Sequence, residues 1–279
     1  RKLEDAGVHV AYGVVGFKTH TKIALVVRRE IDGLRSYAHI STGNYNSRTA
    51  RIYEDVGLLT CDPLICDDVM DLFNAITGRS RQPQYNKLLV APVTMKKRFI
   101  ELIEREVSLH TPQNLGRIIV KMNQLQDKDV TDALYKASQA GVKIDMIIRG
   151  FCTLRPGVPG MSENIRVMSI VGRFLEHSRI FYFRNAQEDP KDGLYFIGSA
   201  DWMYRNLHTR VEAACPVEDR GLRGRLWQIL NVCLNDHRQC WDMNSDGSYV
   251  LRTPGSFAEG SLEATGTHQT LMNIALQLG

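Results

Sequence analysis

One polar pattern occurs twice in this chain, and no other feature limits its architecture as strongly. His20-Thr21-Lys22 is followed by Thr42, Asn44, Tyr45 and Arg48, at 22, 24, 25 and 28 residues from the histidine. His177-Ser178-Arg179 is followed at the same distances by Ser199, Asp201, Trp202 and Arg205. The residue 20 positions after each histidine is isoleucine, Ile40 and Ile197. Repetition at fixed spacing sets an architecture, and here it implies two half-sites related by pseudo-symmetry.

Residues i and i+2 of a strand project to one face, so His20 stands beside Lys22 and His177 beside Arg179. An imidazole titrates near neutrality and serves as nucleophile, acid or base. The adjacent lysine or arginine supplies fixed positive charge suited to phosphate oxygens. A lone histidine with a basic neighbour carries little information; the matched duplication is what assigns a function to both. His9, His39, His110, His208, His237 and His268 have no such context and read as structural or solvent-facing, with His39 lying next to the first polar loop.

A chain of 279 residues has room for two domains with their own cores. With 43% apolar and 24% charged residues it is neither disordered nor collagen-like. The net charge of +4 favours an anionic ligand but is too small to argue for nucleic acid. No apolar run approaches the ~18 residues of a membrane span. The six cysteines form no C-x-x-C pair and no metal-ligand spacing, which fits reduced thiols in a cytoplasmic protein.

β-Branched runs predict strands at 8–14, 23–27 and 34–40, with a tight turn at Asp32-Gly33. Helical apolar spacing covers 67–76 and stops at Gly78. The polar stretch 78–87 is the candidate linker, dividing the chain into domains 1–86 and 87–279. Beyond it, helices are predicted at 95–109, 130–140 and 222–234, and strands at 118–121, 142–148, 164–170, 180–183 and 194–197. Gly141 marks the end of the middle helix. Residues 244–260 read as turn-rich. The alternation indicates an α/β fold with mixed, mostly parallel sheets, and Arg149-Gly150 falls at the carboxyl end of a strand, where such sheets bind ligands. Only 19 residues precede His20, so the first half is expected to be truncated at its amino terminus by about 70 residues relative to the second.

The duplicated His-x-Lys or His-x-Arg pattern with its following loop resembles the phospholipase D superfamily. The likeness is closer to one family within it, the carboxyl-terminal catalytic region of bacterial polyphosphate kinases of the first type. It rests on Gly16-Phe17-Lys18-Thr19-His20-Thr21-Lys22, Tyr37-Ala38-His39-Ile40-Ser41-Thr42-Gly43-Asn44-Tyr45-Asn46, residues 138–150, Leu175-Glu176-His177-Ser178-Arg179 and Gly198-Ser199-Ala200-Asp201-Trp202-Met203. It covers residues 1–215 and implies two phospholipase D-like halves. It implies that His20 takes the terminal phosphoryl group of ATP as phosphohistidine, and that His177 is the opposing acid/base and an ATP contact. Tyr53 and Arg149 would bind ATP, Lys22, Arg179 and Arg210 would stabilise charge, and Asn44, Asn46, Ser199 and Asp201 would support the loops. Magnesium would accompany ATP, its associated arginines lying upstream of His20, with no metal ligand in this chain. The implied partners are ATP or ADP and inorganic polyphosphate, with homo-oligomers of the full-length protein, no nucleic acid and at most peripheral membrane association.

Ordinary phospholipase D motifs place aspartate five positions after the lysine, where this chain has Val27 and Arg184. The expected function is therefore an ATP-polyphosphate phosphotransferase, the chain alone being weak or inactive. The alternatives are a phospholipase D-like phosphodiesterase or nuclease, and an inactive polyanion-binding fragment.

Overall fold

Two antiparallel hairpins, 157 residues apart, carry the two histidines. In the computed structural model, which describes residues 2–78 and 84–278, strand Ile23–Glu30 pairs with Gly33–Ser41, and Ile180–Phe183 pairs with Leu194–Gly198. The registers match: Ile23 faces Ile40, and Ile180 faces Ile197. The repeated isoleucine is thus the buried cross-strand partner that starts each hairpin, 1% exposed in one copy and 2% in the other. Pairing of Glu30 with Gly33 leaves Ile31-Asp32 as a two-residue turn, and Gly33 adopts φ +129°, a conformation that favours glycine.

The correspondence continues downstream. Gly33–Ser41 pairs with Gly57–Thr60, and Leu194–Gly198 with Arg210–Pro216. Helices Pro63–Ile76 and Arg220–Leu234 follow, each capped by an aspartate, Asp62 or Asp219, which accepts the backbone N–H three residues on. Such a cap contributes about 1 kcal/mol. Asp62 and Pro63 start the first helix four residues before its apolar spacing begins.

The second half adds a parallel core. Arg117–Met122, Lys143–Ile148 and Ile165–Ile170 run parallel, and Ile180–Phe183 joins the first of them antiparallel. Ile118 and Val120 face helices Met95–Leu109 and Lys128–Gln139, while Ile119 faces Arg220–Leu234. This strand is therefore buried on both sides, which is why its run is continuously apolar up to Lys121. The α/β class and mixed sheets hold, but the expected parallel majority does not. Leu194–Gly198, Arg210–Pro216, Leu89–Ala91, Cys240–Met243 and Tyr249–Leu251 all enter the sheet antiparallel to a neighbour. Short hairpin connections can only give antiparallel pairs; parallel ones need a long crossover.

The two halves share a core. Ile65, Val69 and Leu72 of Pro63–Ile76 cluster with Ala38 and Ile40 of the first half and with Val211, Ala213 and Cys215 of the second. A short parallel ladder, Lys18–Thr19 on Arg210–Val211, adds a second join, and another pairs Leu175–Glu176 with Tyr53–Glu54.

Two further expectations are corrected. Residues 8–14 form no strand, and Val8 and Tyr12 are exposed; β-branched composition does not make a strand without a partner and a face to bury. The turn-rich tail contains strand Tyr249–Leu251 and is followed by an unforeseen helix, Thr267–Leu278. The linker stretch 78–87 falls partly on 79–83, outside the described residues; its end is anchored, since the buried Asp68 carboxylate accepts the backbone N–H groups of Asn86, Lys87 and Leu88 at 2.7–2.8 Å. Among the described residues no helix is long and apolar enough to cross a membrane.

Candidate active site

Each histidine follows a two-residue strand, and its cation two positions on folds back over it. Lys22 Nζ lies 2.6 Å from the carbonyl of His20 and 3.0 Å from both imidazole nitrogens. Equal distances to both nitrogens place the ammonium over the ring rather than in line with one lone pair. Arg179 Nη1 repeats the arrangement, 2.8 Å from the carbonyl of His177 and 3.1 and 3.4 Å from its ring nitrogens.

The orienting carboxylates are exchanged between the halves. His20 Nδ1 lies 2.9 and 3.0 Å from the two oxygens of Glu212, in the second half. His177 Nδ1 lies 2.7 Å from Asp55, in the first. Thr42 Oγ1 donates to Asp55 at 2.7 Å, and Ser199 Oγ donates to Glu212 in a very short contact. The backbone N–H groups of Val56 and Ala213 donate to the same two hydroxyls at 3.1 and 3.2 Å. Gly43 is required here, because a Cβ would stand 2.4 Å from Asp55 Oδ2. A carboxylate on Nδ1 leaves Nε2 of each ring as the nitrogen available for chemistry.

The supporting charges differ. Arg179 is paired side-on with Asp201, Nε to Oδ1 at 3.1 Å, and Asp201 also accepts the Asn123 N–H. The residue equivalent to Asp201 in the first half is Asn44, which is exposed. Lys22 is nearly buried and its pKa is lowered to about 8: burial is the main cause, Glu212 opposes it, and Arg179 and Arg210 add to it. Such an ammonium lacks the negative charge that a phosphate would bring. His177 is also held below its ordinary pKa, first by burial and then by Arg179 and Arg149, against the hydrogen bond to Asp55.

Tyr53 stacks obliquely on His177, ring centroids 4.6 Å apart. Arg149 donates to the carbonyl of Glu176 at 2.8 Å, and Arg210 lies 3.9 Å from Glu212. The fold thus gathers His20, Lys22, Tyr53, Arg149, His177, Arg179, Ser199, Asp201 and Arg210. Asn44 and Asn46 stay outside: Asn46 accepts the N–H groups of Arg48 and Thr49 and caps the turn Thr49–Arg51. Asp55 and Glu212 were not among the candidates from sequence, yet each stands 35 residues after a histidine, His20 or His177. Extending the repeat finds them.

Among the described residues no cluster of three or more His, Cys, Asp or Glu is placed to hold a metal ion. Asp55, Asp201 and Glu212 are already committed to His177, Arg179 and His20, so these side chains do not fit a magnesium site by themselves.

Fold and site together define an α/β chain with two interlocked, pseudo-symmetric histidine half-sites. Two family descriptions match it: polyphosphate kinase C-terminal domain 1 over residues 1–82 and polyphosphate kinase C-terminal domain 2 over residues 88–260. The chain belongs to the polyphosphate kinase family. It is 56% identical to a polyphosphate kinase of Synechocystis over 256 residues, 92% of this chain and 35% of that protein. A polyphosphate kinase of Mycobacterium avium is 54% identical over 90% of this chain and 33% of its own length. The crystal structure of polyphosphate kinase from Porphyromonas gingivalis superimposes with a TM-score of 0.89 at 36% identity, covering all of this chain and 42% of that one. The chain therefore spans about a third of the length of these curated relatives.

Proposed function

We propose that this chain carries the phosphoryl-transfer centre of a polyphosphate kinase, passing the terminal phosphoryl group of ATP to inorganic polyphosphate and back. The observation that carries this reading is the setting of His20. Glu212 binds Nδ1, Nε2 is claimed by no carboxylate among the described residues, and the nearly buried Lys22 lies over the ring.

In the first step His20 Nε2 attacks the γ-phosphorus; the N–P bond forms as the P–O bond to ADP breaks. Glu212 stabilises the imidazole as it becomes cationic. In the second step a terminal oxygen of polyphosphate attacks the same phosphorus. The new P–O bond forms, the N–P bond breaks, and the free imidazole returns. His177, oriented by Asp55, holds or releases a proton at Nε2 on the ADP side, where Tyr53 and Arg149 receive the nucleotide. Phosphoryl transfer depends on in-line placement and dispersed positive charge, which Lys22, Arg149, Arg179 and Arg210 provide. Magnesium would enter with the nucleotide, and no step here is assigned to it.

A phosphodiesterase is disfavoured on residues. Where its motifs place aspartate, Val27 lies exposed on the hairpin, and Arg184 donates to the carbonyls of Leu115 and Gln187. The test is transfer from γ-labelled ATP by the intact polypeptide that carries this chain. Acid-labile, alkali-stable protein label that polyphosphate chases into longer chains is the expected result. Label released only as inorganic phosphate, whether or not polyphosphate is present, would refute the reading.

A further inference from the structure

His177 is held from behind by side chains that the transfer reaction does not use. His177 and Arg179 turn into the site, while Glu176 and Ser178 turn away from it towards Lys121. There Lys121, 2% exposed, donates to Ser178 Oγ at 2.6 Å and to Glu54 at 2.9 Å, and lies 2.5 Å from Glu176 Oε2. The last contact is an ion pair without good hydrogen-bond direction, since Oε2 has no aligned donor. The other oxygen, Oε1, is 2.7 Å from Nε2 of His268. His268 Nδ1 accepts the N–H of Phe174 at 3.3 Å, so the ring proton lies on Nε2 and points at Glu176.

His268 belongs to the helix Thr267–Leu278, beyond the family match that ends at residue 260. Its ring is 3% exposed. Glu176 is where three lines meet: its carboxylate holds His268 and Lys121, its carbonyl accepts Arg149 Nη1 at 2.8 Å, and its chain neighbour is His177.

We infer that His268 is a positioning residue: through Glu176, the helix Thr267–Leu278 sets the placement of Arg149 and His177 against the nucleotide phosphates. This rests on the phosphoryl-transfer reading above. The helix start is itself fixed, since Asp236 accepts the Thr267 N–H at 2.7 Å. A shift of this helix moves the Glu176 carbonyl, and with it the guanidinium. In that reading Arg149 holds nucleotide phosphate, so its displacement weakens ATP binding more than it slows transfer.

The experiment compares His268→Leu and His268→Gln in the intact polypeptide, with steady-state kinetics in ATP, thermal melting and circular dichroism. Glutamine keeps an N–H donor of similar reach; leucine does not. The expected result is about a tenfold rise in KM for ATP in His268→Leu with a smaller change in kcat, largely restored in His268→Gln. Gln269→Ala, exposed on the same helix, should match wild type. Equal loss in both His268 variants, or loss that only follows the melting temperature, would overturn the inference, because a merely structural ring has no need of its donor. The variants also share a control. If His20→Ala still forms label and product, the phosphoryl-transfer reading fails; if only the His268 variants behave as wild type, that reading stands and this inference falls.

Discussion

His20 and His177 occupy equivalent places on hairpins 157 residues apart, yet their side chains are 23% and 9% exposed. Both have a crossed carboxylate on Nδ1 and a cation folded over the ring. They differ in what lies behind and beside them. Arg179 is balanced by Asp201, and the neighbours of His177, Glu176 and Ser178, are tied to Lys121 and Glu54. In the first half Asn44 is exposed, and Thr21, the counterpart of Ser178, has a buried hydroxyl without a hydrogen-bond partner. The strand Arg117–Met122 that braces Ile180–Phe183 also has no equivalent against Ile23–Glu30 among the described residues. Among the described residues the second half-site has the larger set of supporting contacts. In the proposed reaction His20 would form and lose the bond to phosphorus while His177 orients nucleotide and proton, and the two half-sites can be perturbed separately.

The comparison is sharpened first by removing the braced ring. His177→Ala should lower turnover by about 10² to 10⁴, the range of positioned acid–base catalysis, while leaving His20 able to take label. Stopped-assay rates of polyphosphate synthesis check this.

Removing the brace itself comes next. Burial pulls the Lys121 pKa down, but Glu176 and Glu54 outweigh it and hold the ammonium charged. Lys121→Met leaves those two carboxylates facing each other and should destabilise folding by about 3–5 kcal/mol, read by chemical denaturation. A variant as stable as wild type would mean that the braced half is not braced by this cluster.

The crossed carboxylates give a smaller, paired effect. Asp55→Asn and Glu212→Gln should each cost roughly tenfold or more in kcat/KM, because each leaves an imidazole without its orienting anion. Asp55→Asn should act through His177 and Glu212→Gln directly on His20, so Glu212→Gln should slow labelling of His20 the more. The reverse pattern would break the exchange described above.

The smallest effect is in pH. With its pKa lowered to about 8, Lys22 is charged below that value and neutral above it. Affinity for an anionic substrate should therefore weaken as pH rises through about 8. Arginine remains cationic there, so Lys22→Arg should remove this alkaline limb; a limb unchanged in the variant would assign it to another group.

Much of this arrangement is legible in the residues. Helix Met95–Leu109 is legible to its ends because Phe99, Leu102 and Ile103 recur at helical spacing. The half-sites are legible because the repeat preserves hairpin register. Asp55 and Glu212 lie within reach of the same reading, at one further shared distance. What the spacing does not reveal is the crossing, since nothing local to Asp55 says that its partner is His177 rather than His20. That depends on how the halves dock through Pro63–Ile76 and Arg210–Pro216. Lys121 is hidden for a similar reason: it ends an apolar run, and its partners come from two distant segments, one with Glu54 and one with Glu176 and Ser178. Residues 8–14 show the opposite failure, strand-like composition without a partner strand.

The most direct measurement is the site of phosphorylation. The intact polypeptide is treated with ATP without polyphosphate, so that no acceptor removes the phosphoryl group, digested at alkaline pH and mapped by mass spectrometry, with phosphorus NMR to identify the nitrogen. The expected result is phosphate on His20 alone, at Nε2, the nitrogen that Glu212 leaves free. Phosphate on Nδ1 of His20, on another residue, or on no residue while synthesis continues would contradict the account.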